Sequence, residues 1–131
     1  MNKPTDSKWT IVDSSGWIEY LADGPKAEKY AAYLDHPQKL LLPSIIVYEV
    51  NKKLLRERGK NSADLFLSQA YGFADRLVAL DLPISILASR LSLEYQLPMA
   101  DAIIYATSRT HNSSLITSDD HFANLPGVVF I

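Results

Sequence analysis

The stretch Pro98-Met-Ala-Asp-Ala-Ile-Ile-Tyr-Ala-Thr-Ser-Arg-Thr110, followed after three residues by Ser114-Leu-Ile-Thr-Ser-Asp119, decides the fold. Proline suits a helix start, where its missing N–H is not needed, and small and apolar residues then continue at helical spacing. Residues 114–117 form a short apolar run, too brief for a helix, that reads as a strand closed by an acid. The same pattern recurs outward from this stretch. Trp9-Thr-Ile-Val-Asp13 is a β-rich run ending in a carboxylate, residues 40–42 are a second strand, residues 77–80 a third ending at Asp81, and residues 128–130 a fifth. Helical segments are predicted over residues 14–22, 26–35, 45–58 (with Ser44 as N-cap), 61–76, 84–95 and 98–110, with a short helical turn over 119–124.

Short apolar strands alternating with helices predict an α/β fold in three layers, a parallel sheet with helices on both faces. In such a sheet the C-terminal ends of all strands lie on one edge, and ligands bind there. Four acids share that address: Asp13 after the first strand, Glu49 in the second turn of the following helix, Asp101 in the first turn of the helix opened by Pro98, and Asp119 after the fourth strand. Each also has a structural explanation. Asp13 and Asp119 fit as helix caps, and Asp101 fits a first-turn carboxylate favoured by the helix dipole. Glu49, beyond the reach of a capping box begun at Ser44, is harder to explain that way. Four converging carboxylates repel one another unless a hard divalent cation neutralises them.

Composition bounds what such a site does. The chain has 131 residues and 13 Lys+Arg against 15 Asp+Glu, a net charge of −2 that excludes nucleic-acid binding by bulk positive charge. There is no cysteine, so disulfides, thiolate chemistry and zinc ribbons are out. His36, His111 and His121 lack the spacing of a histidine metal motif, which leaves oxygen ligands and points to Mg²⁺ or Mn²⁺ rather than zinc. The polar start and the absence of any long apolar run lead us to expect a cytoplasmic protein without a membrane segment.

The ordered set Ile11-Val-Asp13-Ser-Ser15, Ser44-x4-Glu49, Met99-Ala-Asp101-Ala-Ile-Ile-Tyr-Ala-Thr107 and Leu115-Ile-Thr117-Ser-Asp119-x-x-Phe122 resembles the PIN-domain ribonucleases, and the size resembles their VapC-like toxins. The resemblance implies a domain over residues 9–131 behind a polar lead of residues 1–8, and five parallel strands in the order 3-2-1-4-5. It implies Mg²⁺- or Mn²⁺-dependent cleavage of single-stranded or looped RNA, with Asp13, Glu49, Asp101 and Asp119 as catalytic and metal-binding acids. Ser15 and Thr117 match supporting hydroxyl positions, and Asp119 is preferred to Asp120 as fourth acid because it keeps Thr-x-Asp-x-x-Phe in register. A VapB-like antitoxin and a homodimer are the implied partners.

Lys52, Lys53 and Arg56 follow Glu49 at i+3, i+4 and i+7, either as a basic stripe that guides an RNA backbone or as an ordinary solvated helix face. Tyr20, Tyr48 and Tyr95 are read as core or interface residues. Alternatives keep the architecture and change the function. A phospho-receiver module fits Asp81 but lacks a second acid beside Asp13, and a phosphatase has Ser15 where it wants its second Asp. A PIN-like scaffold that binds without cutting and an RNA-processing nuclease that is no toxin complete the set.

Overall fold

The computed structural model describes residues 8–131, so all but Lys8 of the expected polar lead lies outside it. The elements follow the predicted alternation: β1 (Thr10–Val12), α1 (Ser14–Leu21), α2 (Ala27–Leu34), β2 (Leu42–Pro43), α3 (Ser44–Glu57), α4 (Lys60–Tyr71), β3 (Leu77–Val78), α5 (Leu82–Tyr95), α6 (Met99–Thr110), β4 (Ser114–Thr117) and β5 (Val128–Phe130). Single 3-10 turns at Pro37–Lys39, Ala74–Arg76 and Asp120–Phe122 lead into or follow strands.

All strand pairs are parallel. β4 lies between β1 and β5, with Ile11 opposite Leu115 and Leu115 opposite Val128, and β2 pairs with β3 through Leu42 and Leu77. The five strands thus run in the order 3-2-1-4-5, but as two ladders rather than one continuous sheet. Between β1 and β2 there is a single bridge, Thr10 with Leu40, and the Leu41 N–H donates to the Thr10 carbonyl at 2.9 Å. The physical reason is local. Pro43 has no N–H to extend a ladder, and α3 begins immediately after it.

Ser44 is the first helical residue of α3 rather than its N-cap; Pro43 occupies the cap and no side chain bonds there. α5 starts two residues earlier than its pattern suggested because Asp81 caps it, accepting from the Ile84 N–H at 3.0 Å. β1 and β4 are almost wholly buried, as strands covered on both faces should be, whereas the edge strands β3 and β5 stay partly open.

The core joins Ile11, Leu115 and Ile116 of the central strands to Tyr30, Phe66, Ile104 and Phe122. Trp17 meets Phe66 edge-on at 5.5 Å. α1 crosses α2 closely at Gly16, where an added Cβ would lie 2.4 Å from the Tyr30 ring. Among the described residues no helix is long and apolar enough to cross a membrane.

Candidate metal centre

The parallel register brings the end of β1 beside the end of β4. Val12 is opposite Ile116, and the Asp13 N–H donates to the Ile116 carbonyl at 3.0 Å. Asp13 is consequently buried, at 2% exposure, and its carboxylate accepts from the Ser14 N–H at 2.8 Å, the Ser15 hydroxyl at 3.0 Å and the Thr117 hydroxyl at 3.0 Å, with a longer contact from the Ser14 hydroxyl at 3.5 Å. Asp13 caps α1 through Oδ1, and Oδ2 accepts from the two hydroxyls that the sequence singled out. Burial pushes its carboxyl above the ordinary value, the three hydrogen bonds oppose that, and the Asp119 charge adds to it. Thr117 Oγ1 also accepts from the Asp119 N–H at 2.9 Å, so one hydroxyl fixes the first and fourth acids together.

α3 carries Glu49 toward the same edge. Its pKa is raised by burial and by the charges of Asp13 and Asp119, with the Ser14 hydroxyl opposing. Glu49 Oε1 is buried and has no hydrogen-bond partner. Asp101, the third residue of α6, is pushed up to about 6 by burial, against a hydrogen bond from His121, with the Asp119 and Asp13 charges adding to the rise. It is Asp119, not the exposed Asp120, whose charge reaches Asp13, Glu49 and Asp101.

Beside the oxygen ligands expected from sequence, the fold brings a histidine nitrogen. His121 Nδ1 lies 2.8 Å from Asp101 Oδ2 and 3.3 Å from Asp119 Oδ1. Ligand atoms of Asp101, Asp119 and His121 all fall within 4.8 Å of one another, a group able to hold a metal ion. The two carboxylates, Asp101's hydrogen bond first, raise the imidazole pKa. His121 has no partner histidine in sequence, so motif spacing passes over it. The available signal was its place two residues after Asp119, in a turn whose backbone folds back: the His121 N–H donates to Asp119 Oδ1 at 2.9 Å.

Beside the acids, Glu49, Lys52, Lys53 and Arg56 of α3 line a cleft of about 460 Å³ whose opposite wall includes Ser14 and Ser15. The basic residues thus adjoin the acidic edge rather than face away from it. Tyr48 lines this cleft too and, at 58% exposure, lies outside the core. Tyr20 and Tyr95 do pack: the Tyr20 hydroxyl donates to Asp35 at 2.7 Å, and Tyr95 meets Tyr105 edge-on at 6.0 Å.

Partly buried, mutually repelling carboxylates with an orphaned oxygen and a neighbouring imidazole form a donor set that fits a divalent cation.

Among solved structures, a toxin–antitoxin complex from Klebsiella pneumoniae contains a chain 25% identical to this one, with a TM-score of 0.71 over 92% of this chain and 95% of that chain. FitAcB from Neisseria gonorrhoeae is 21% identical, with a TM-score of 0.73 over 93% and 96% of the two chains. VapBC2 from Rickettsia felis, bound to a DNA fragment from its promoter, is 15% identical with a TM-score of 0.69 over 93% and 96%. Comparison with curated protein sequences finds no match. The family model described as PIN domain matches residues 10–128, from the first residue of β1 into β5, and the chain belongs to that family.

Proposed function

We propose that this chain is a divalent-metal-dependent endoribonuclease, the VapC-like toxin of a pair with a protein antitoxin. The observation that carries the reading is the convergence of Asp13, Glu49, Asp101 and Asp119 on one edge, with the pKa of the first three raised and Glu49 Oε1 unpartnered. Asp13, Asp101 and Asp119, with His121 beside them, would hold Mg²⁺ or Mn²⁺; the imidazole tilts the preference toward Mn²⁺. When bound, the cation lowers the pKa of a water and offsets charge growing on the scissile phosphate.

The chain's own groups do the rest. Ser15 and Thr117 hold Asp13 in one orientation, so no reorganisation is needed when a ligand arrives. Glu49, its carboxyl made more basic by burial, would accept the proton of an attacking water. Partnership with an antitoxin rests on the family resemblance and on a relative solved as a toxin–antitoxin complex, and a homodimer on the resemblance alone.

The test is cleavage of total RNA by purified protein with Mn²⁺ or Mg²⁺, against an EDTA control. Wild type should cut only with metal, and Asp101→Asn should lose at least ~100-fold, the scale on which an essential electrostatic group acts. Cleavage undiminished by EDTA or by the substitution overturns the reading. Expression of the wild type should arrest growth while Asp13→Asn is tolerated; equal tolerance leaves a nuclease that is no toxin.

A further inference from the structure

The cleft between α1 and α3 opens directly from the acids, because Ser15, which holds Asp13, and Glu49 both line it. Tyr48 stands in it with 58% of its surface accessible, whereas Tyr30 and Tyr105 are buried in the core. Lys52 Nζ lies 5.5 Å from the Tyr48 ring centroid and 3.4 Å from its hydroxyl, so ring and cation already stand side by side in the cleft. Tyr48, Lys52 and Arg56 follow at i, i+4 and i+8, placing the cations about 6 and 12 Å along the helix from the ring. Among the described residues Arg56 pairs with Glu57, at 3.4 Å between exposed side chains, an interaction weak enough to release the guanidinium to a phosphate. Across the cleft, Glu19 is already engaged by the Lys26 N–H at 2.7 Å.

We propose that this cleft is a nucleotide subsite for single-stranded RNA, in which Tyr48 stacks the base beside the scissile phosphate while Lys52 and Arg56 hold the phosphates beyond it. The proposal rests on the endoribonuclease reading and names how that site takes its substrate. An aromatic face alternating with cations is the pattern single strands require, since every base offers a π-face and every linkage a charge. A volume of about 460 Å³ is of the size that ligand sites have. An acidic peptide would use the cations but gain nothing from the ring.

The test is fluorescence anisotropy of a labelled single-stranded RNA, with Ca²⁺ replacing Mg²⁺ so that the RNA stays intact. Tyr48→Ala should weaken binding about 5- to 150-fold, the range for loss of one stacked base, and Tyr48→Phe should bind within about twofold of wild type. An RNA with one abasic position should show the same loss in wild type and no further loss in Tyr48→Ala. Lys52→Gln and Arg56→Gln should each flatten the salt dependence by about one unit of slope. Unchanged binding by Tyr48→Ala, an equal loss in Tyr48→Phe, or a polyglutamate peptide bound as tightly as RNA overturns the subsite alone. Wild type that neither binds nor cuts any RNA overturns the endoribonuclease reading with it.

Discussion

Thr117 serves two acids with one oxygen: it donates to Asp13 Oδ2 at 3.0 Å and accepts from the Asp119 N–H at 2.9 Å, in full burial. Valine has the same shape and neither capability. In Thr117→Val a buried carboxylate loses one of the two hydroxyl donors to its Oδ2 and an amide loses its acceptor, which costs about 1–3 kcal/mol. The urea midpoint should fall with an unchanged m-value. Because Asp13 and Asp119 would then lose their common anchor, metal affinity should drop about 10- to 100-fold, as when partners of metal ligands are removed. Thr117→Ser keeps the hydroxyl and should recover most of that affinity. Loss of stability with full metal affinity would make Thr117 a packing residue only.

At the scale of elements, the register of β1 on β4 places the first and fourth acids, and the packing of α1 on α2 supports them. Gly16 marks that contact: a Cβ there would lie 2.4 Å from Tyr30 Cε1 and 2.7 Å from Val12 Cγ1. Alanine favours the helix by about 1 kcal/mol over glycine, but overpacking against a ring and a β-branched side chain costs about 1–3 kcal/mol. The clash wins, and Gly16→Ala should lower the melting temperature by several degrees. Tyr30 also hydrogen-bonds Ser118 at 2.8 Å, next to Asp119, so RNA cleavage should weaken too, measured as initial rate at saturating metal. The alternation of strands and helices was legible in the sequence because period and turn chemistry are local. The split of the sheet was not, because it depends on where Pro43 falls against a neighbouring strand. That Asp13, Glu49, Asp101 and Asp119 lie at one edge could be read from their position after strands and in early helical turns. His121 could not be found by motif spacing, since its partners come from α6 and from its own turn. That Tyr48 lies outside the core was not legible either, because one-dimensional pattern does not say which flank of α3 lies over the cleft.

For the molecule as a whole, the net charge of −2 misleads about phosphate, because setting the four edge acids aside leaves cationic side chains in excess. The same acids make the metal-free fold depend on pH. Asp101 has its folded pKa raised to about 6 from 3.8, so the folded state binds that proton more tightly than the unfolded chain does. Its contribution is therefore greatest below 3.8 and is lost as pH rises through about 6. Asp13 and Glu49, also raised by burial, act in the same direction. His121, raised above 6.5 by Asp101 and Asp119, adds stability below 6.5 that disappears as pH climbs past its folded value. All four groups thus make the metal-free site costlier toward neutral pH, where a cation has the most to offset and fewest protons to displace. Saturating Mn²⁺ should raise the melting temperature clearly at pH 7.5, by the equivalent of about 2.7 kcal/mol at a hundredfold excess over Kd. At pH 5.0 the rise should be small. Asp101→Asn should be more stable than wild type without metal at pH 7.5, and its Mn²⁺ response should be weak at both pH values. Differential scanning fluorimetry of the two proteins checks this, and equal Mn²⁺ shifts for wild type at pH 5.0 and 7.5 would show that these carboxyls do not bind the ion.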